Sequence, residues 1–208
     1  MAVIVPVSIL LPIFIGIIKY GKLSGTEKLI HWYLIVSALF TGVSLLLSKY
    51  HQNSMPVSHL FTVVELALIV LFYKKLLGVG KENNIHYYII AAFTILCILN
   101  ALFLQSIYTY NSYTKSVEAI ICILFAMKYF ATIASDMTSS TKIMMRPGFY
   151  FNAGFFLYFS GAFMLFVFSN FIVTNLTVSG FYTIWTIHAS LVLLMYLIFS
   201  AGFLLCKK

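Results

Sequence analysis

Three residues in this chain combine acid–base chemistry with an apolar setting. Glu65, Glu118 and His188 each lie inside a long run of hydrophobic residues. An ionisable side chain at a bilayer centre costs about 2.5–3.5 kcal/mol on insertion scales, so each needs a partner, water or a ligand. Two carboxylates and an imidazole are a common ligand set for a divalent metal, which makes Glu65, Glu118 and His188 the metal candidates. The same groups can relay protons, as Glu and His chains do in pumps, or hold the polar part of an amine or a lipid head group. The plainest alternative is a Glu–His or Glu–Asn hydrogen bond that ties helices together; such bonds average about 0.6 kcal/mol and need no ligand.

Composition supplies the elements that must position these residues. Of the 208 residues 62% are hydrophobic and 9% charged, with mean hydropathy +1.01. A soluble domain carries about 25% charged residues, so this composition excludes a cytosolic enzyme and a disordered regulator. It fits an integral, multi-pass protein of the cell membrane, plasma or inner. A spanning helix needs about 20 mainly apolar residues. Seven segments qualify: Ala2–Ile18, Leu29–Leu47, Val57–Leu77, Ile85–Leu104, Ser116–Ala134, Phe149–Ile172 and Gly180–Leu205. The expected fold is an all-α bundle of seven transmembrane helices forming a single domain. The first segment has no basic leader or cleavage site and reads as a retained helix, kinked by Pro6 and Pro12.

Charge sets the expected orientation. Lys19, Lys22, Lys28, Lys74, Lys75, Lys81, Lys142, Arg146, Lys207 and Lys208 fall on one side of the spans, and only Lys49 and Lys115 on the other. The positive-inside rule then puts the N-terminus outside and the C-terminus in the cytoplasm. The net charge of +8 thus has a membrane explanation, and a nucleic-acid partner is not expected. Glu65 and His188 each stand eight residues into a span, about 12 Å below its outer end at 1.5 Å per residue. Asn100 lies at a similar level, Thr41 and Ser44 add hydroxyls, and Glu118 and His59 sit nearer the surface. The candidate ligand-binding set is Glu65, Asn100, His188, Glu118, His59 and Thr41, with Gln105 and the Tyr108–Asn111 stretch as a rim. Lys115, three residues before Glu118, can pair with it at the interface. Lys128 snorkels, and His31 and His86 mark the cytoplasmic boundary.

An internal match accompanies this layout. Ile30-His31-Trp32-Tyr33 in the second span parallels Ile85-His86-Tyr87-Tyr88 in the fourth. Glu65, Val70-Leu71-Phe72 and Lys75 in the third recur as Glu118, Ile123-Leu124-Phe125 and Lys128 in the fifth, at identical spacing. With a looser match around His188, the chain reads as one leading helix plus three like-oriented hairpins, a 1+2+2+2 arrangement.

Several activities lack their signatures. HExxH, GxSxG and P-loop motifs are missing, the last span has no lysine before Lys207 to carry a Schiff base, and Cys97, Cys122 and Cys206 have no ligand-like spacing. No residue is assigned a catalytic role, and no cofactor is named. Ser160-Gly161-Ala162 and Ala153-Gly154 favour close helix packing. Cys206 beside Lys207-Lys208 is an acylation candidate, and Asn175-Leu176-Thr177 is a glycosylation sequon.

The pattern Trp185-x2-His188-x7-Tyr196, with Glu65 in the third span, resembles small seven-helix membrane proteins of Bacteroidetes-type genomes. That resemblance implies a sensory or signalling role and carries no catalytic residues. The function expected is recognition of a small or lipid-like ligand in an outward-facing pocket lined by Glu65, Asn100 and His188, read out through helix motion or a partner in the membrane. The rivals are a proton-coupled transporter, an intramembrane metal-dependent enzyme and a membrane scaffold subunit.

Overall fold

The computed structural model describes residues 4–80, 82–135 and 143–207, and every element among them is helical. In chain order they are α1 (Ile4–Ser8), α2 (Leu10–Ile18), a 3₁₀ turn (Tyr20–Lys22), α3 (Gly25–Lys49), α4 (Met55–Leu76), α5 (Ile85–Leu99), a π turn (Asn100–Leu104), α6 (Ser112–Ser135), α7 (Pro147–Asn175) and α8 (Val178–Leu205). Six of these helices, α5 being counted with its π turn, are long and apolar enough to cross a membrane, and Val5–Ile18 is a shorter apolar one. The shorter one is broken at Ile9: Pro12 cannot donate to the carbonyl one turn back, and Pro6 loosens the turn before it.

Local chemistry sets the helix starts. Ser24 and Glu27 close a capping box at the head of α3, satisfying backbone donors that the first turn leaves open. Pro56 and Pro147 occupy the first turns of α4 and α7, where a missing N–H costs nothing. Thr177 caps α8 by accepting from Gly180 N at 3.2 Å. The turn after α3 places His51 at φ 56°, a left-handed conformation uncommon for a side chain of this size.

The core is aromatic and is built on α7 and α8. Phe151 packs on Phe203 and Phe155 on Phe199, with ring centroids 4.9 and 5.0 Å apart, and Phe72 of α4 meets Phe155 at 5.7 Å. These edge-to-face pairs each add roughly 0.5–1.5 kcal/mol beyond the area they bury. Glycines allow the approach: a Cβ at Gly154 would stand 2.6 Å from the Phe199 ring, and one at Gly161 2.8 Å from Leu191. Asn152 joins three helices, accepting from the Tyr73 hydroxyl at 2.9 Å and donating to Ala126 O at 3.4 Å. Of the Phe-rich face of α7, Phe155, Phe159 and Phe166 are buried while Phe168 is exposed.

One end of the bundle carries the basic residues. Lys19 donates to Leu204 O at 2.7 Å and Lys75 to Gly25 O at 3.4 Å, while Lys28 and Lys74 sit over the rings of Tyr20 and Tyr87. Lys81, Lys142 and Lys208 lie outside the described residues. Cys206 is buried at this end, and that burial, with Glu27 nearby, pushes its thiol up to about 12. His31 and His86, near the starts of α3 and α5, turn their side chains inward. Both are buried, His31 beneath Gly16 and against Tyr20 and Phe203, His86 stacked on Phe125. Neighbouring aromatics cover both rings.

The hairpins are not equivalent in packing. α3 and α4 lie closely side by side, whereas α5 makes its main contacts with α4. Between α5 and α6 runs an apolar groove of about 460 Å³, bordered by Phe93, Leu96, Val117, Ile121 and Lys128.

Candidate functional site

A buried ion cluster stands between α4 and α6. Lys115 Nζ lies 2.6 Å from Glu65 Oε2 and 2.8 Å from Glu118 Oε2. Glu65 comes from the middle of α4, while Glu118 stands one turn after Lys115 on α6, which sets the two α6 side chains on a common face. The Tyr33 hydroxyl of α3 donates to Glu65 Oε1 at 3.0 Å. Lys115 and Glu65 are buried and Glu118 is wholly so. Taking three charges out of water costs several kcal/mol per ion, and only short, well-made contacts offset that.

The 105–111 segment covers this cluster. α5 ends in the π turn, where Gln105 N donates to Asn100 O at 2.8 Å; such turns recur at functional sites. The chain then turns with residues 106–109 exposed and Gln105 and Asn111 buried, and is tied to α4 and α6. Asn111 Nδ2 donates to Thr62 Oγ1 at 3.0 Å, and Asn53 Nδ2 to Tyr108 O at 2.9 Å. His59 Nε2 lies 3.1 Å from Thr109 O. Gln105 accepts from Asn100 at 3.2 Å and donates to Ser112 Oγ at 2.8 Å, where Asn170 of α7 also donates at 2.9 Å. Burial pushes the Tyr110 phenol of this segment up to about 12; the ammonium of Lys115 opposes that and the two carboxylates reinforce it.

Beside the cluster is a chamber of about 240 Å³. Glu65 and Lys115 form its charged wall, and Tyr110, Tyr158, Trp185 and Tyr196 are among its aromatic ones. His188 lines it too, its Nε2 3.3 Å from the Tyr158 hydroxyl and its ring edge-on to Trp185 at 5.5 Å. Ser37 and Thr41 supply hydroxyls from α3. A second cavity, of about 410 Å³, shares Thr41, Ser58, Phe61, Trp185 and His188 and adds Ser44, Ser48 and Val57. Ser37, Thr41, Ser44 and Ser48 are spaced four, three and four apart, one stripe of a helix. The stripe leads from the Glu65 level to the α3–α4 turn.

The sequence-predicted residues are thus divided among several places. Glu65, His188 and Thr41 border the chamber. Glu118 reaches it only through Lys115, and it is deeper than expected because α6 starts at Ser112, a full turn before the predicted Ser116. Lys115 is no outer-loop charge: the extra turn and the infolded 105–111 segment bury it. Asn100 does not line the chamber; it is buried against Gln105. His59 is engaged with the Thr109 carbonyl. Among the described residues no group of three or more His, Cys, Asp or Glu side chains is placed to hold a metal ion, since both carboxylates turn to Lys115.

Tyr158 and Ser37 escaped sequence reasoning, while Tyr33 and Tyr196 entered it only through the internal match and the Trp185-x2-His188-x7-Tyr196 pattern and not as chamber walls. A tyrosine in an apolar helix is ordinary, and no spacing rule connects α3, α7 and α8. Ser37 had a legible signal, because it extends the Thr41–Ser44 stripe by one turn.

Fold and site together define a multi-pass helical membrane protein with a charged chamber between its helices. No family model, curated protein or solved structure matches the chain, so the site itself carries the functional reading.

Proposed function

We propose that this protein binds a small polar ligand in the chamber beside Glu65 and relays occupancy through its helices to the basic end or to a partner in the membrane. The observation that carries the reading is open space against a buried ion cluster. A structural lock needs its charges paired and its surroundings filled, yet here about 240 Å³ stays open where Glu65, Lys115 and His188 meet aromatic walls. That chamber touches α3, α4, α6, α7 and α8, so an occupant changes contacts on five helices at once.

In the orientation we propose, the basic end faces the cytoplasm. Lys115, being buried, no longer counts among the flanking charges, which leaves Lys49 as the one basic residue at the opposite end among the described residues. The Ser37–Ser48 stripe and its cavity then open toward the outside, and a seventh crossing by Val5–Ile18, shorter than the hydrocarbon core, requires the bilayer to thin around it.

Native mass spectrometry of the gently solubilised protein tests the reading, run beside the variant Glu65→Gln/His188→Ala with thermal melting of both. A small-molecule mass on the first and missing from a folded second is the expected result. Bare protein in both samples, with the variant melting lower, returns the cluster to a scaffold role.

A further inference from the structure

We infer that the chamber selects a small organic monocation, an amine or quaternary ammonium. This deepens the ligand-holding reading above and rests on it.

Charge balance comes first. One ammonium faces two carboxylates, so the cluster is an acid in excess. Among the described residues no other lysine, arginine or acid borders the chamber; the other titratable groups facing it are Tyr33 of α3, Tyr110 of the 105–111 segment, Tyr158 of α7, and His188 and Tyr196 of α8. Lys115 is clamped between its two partners and cannot balance both. Glu118 Oε1 is buried without a hydrogen-bond partner. In a low-dielectric interior an uncompensated charge is costly, so the spare carboxylate is balanced by a proton when the chamber is empty, and a cation beside Glu65 takes the place of that proton when it is filled.

The walls fit the same guest. A carboxylate offers about four lone-pair sites, and Glu65 uses one on Lys115 and one on Tyr33, keeping acceptor capacity beside the open space. Phe61, Tyr110, Tyr158, Phe166, Trp185 and Tyr196 present rings to the chamber. Aromatic faces attract cations through their quadrupole, and several rings around one site are the known way to hold quaternary ammonium groups. Lys115 Nζ already lies 5.4 Å from the Phe61 ring, so the wall meets an ammonium in the ground structure. The size also limits the guest, because drug-sized ligands occupy roughly 300–1,000 Å³. Ser37 Oγ and Trp185 Nε1, on two lining residues, are buried and unpartnered, which suits a guest bearing a hydroxyl beside its charge.

The test uses the full chain in phosphatidylglycerol nanodiscs and follows tryptophan fluorescence and melting temperature. The probes are ammonium, tetramethylammonium and choline, with 3,3-dimethyl-1-butanol as the uncharged isostere of choline and 3,3-dimethylbutanoate as an anionic one. A cation of the series is expected to bind saturably, about tenfold or more tighter than the uncharged isostere. Glu65→Gln is expected to weaken it by at least that factor. Trp185→Leu, at a half-buried position outside the ion cluster and read by melting temperature because it removes the chamber's tryptophan, keeps the question answerable if Glu65→Gln fails to fold, and should weaken the cation more than the isostere. Displacement of bound choline by phosphatidylcholine in the disc assigns the site to a lipid head group, and its persistence assigns it to a free amine; both support the cation. Equal or tighter binding of the uncharged or anionic isostere overturns the cation class and leaves the ligand reading standing. No saturable binding by any probe overturns the cation class, and an empty native spectrum alongside it overturns the ligand reading as well.

Discussion

Lys115 is the residue on which the site depends. It stands between two buried carboxylates that would otherwise repel each other, at 2.6 and 2.8 Å. Removing one partner of a buried ion pair costs about 3–5 kcal/mol because the remaining charge is stranded. Lys115→Met should therefore lower stability by about 3 kcal/mol or more, read as a large fall in melting temperature in lipid nanodiscs. The triple variant Lys115→Met/Glu65→Gln/Glu118→Gln removes all three charges and should recover most of that loss, since neutral replacements of buried ion clusters are often tolerated. A triple variant no more stable than the single one would show that the cluster is not balanced around Lys115. Tyr33 has a smaller part: it orients the Glu65 carboxylate through one hydrogen bond and carries no charge.

At the scale of the element, close approach matters more than hydropathy. Lipid tails are as apolar as the side chains, so helices associate through shape, and small residues set how near they come. Gly154 is such a place, with Phe199 where its Cβ would be, whereas a Cβ at Gly42 meets nothing within 4 Å. Gly154→Val should destabilise by about 1–3 kcal/mol through overpacking, while Gly42→Ala should be neutral or slightly stabilising because it only raises helix propensity. Melting curves of the two variants side by side decide this, and equal curves would refute the packing account of α7 and α8. The 105–111 segment obeys the same logic with polar contacts. Its bonds to Thr62 and Ser112 tie its two ends to α4 and α6 beside the ion cluster.

For the whole molecule, the decisive property is the asymmetry between its ends. Lys19, Lys28, Lys75 and Arg146 gather at one of them, and the hydroxyl-lined cavity opens near the other. In cells or right-side-out vesicles, a membrane-impermeant maleimide should label Lys49→Cys from outside and Lys75→Cys only after permeabilisation. Both positions are exposed. Cys206 will not confuse the result, since it is buried and its thiol is held up at about 12, leaving almost no thiolate near neutral pH. Labelling in the opposite sense would reverse the orientation and turn the chamber's cavity toward the cytoplasm.

Much of this was legible before any coordinates. The long apolar helices, the broken first helix, the basic end and the presence of Glu65, Glu118 and His188 within the spans all follow from local rules. A bilayer demands about 20 apolar residues in a row, and that demand is met or missed within one segment. The partner of Glu65 was not legible. Lys115 lies 50 positions away at the edge of a predicted span, where hydropathy reads it as a flanking charge. Its burial arises from an extra helical turn and an infolded connection, neither of which leaves a periodic trace. Nor does any spacing bring Tyr33, Tyr158, Trp185 and Tyr196 around one space. Hydropathy says that a helix sits in the membrane; which of its faces meets which neighbour is decided by the fit of small residues, rings and hydrogen bonds among all of them together.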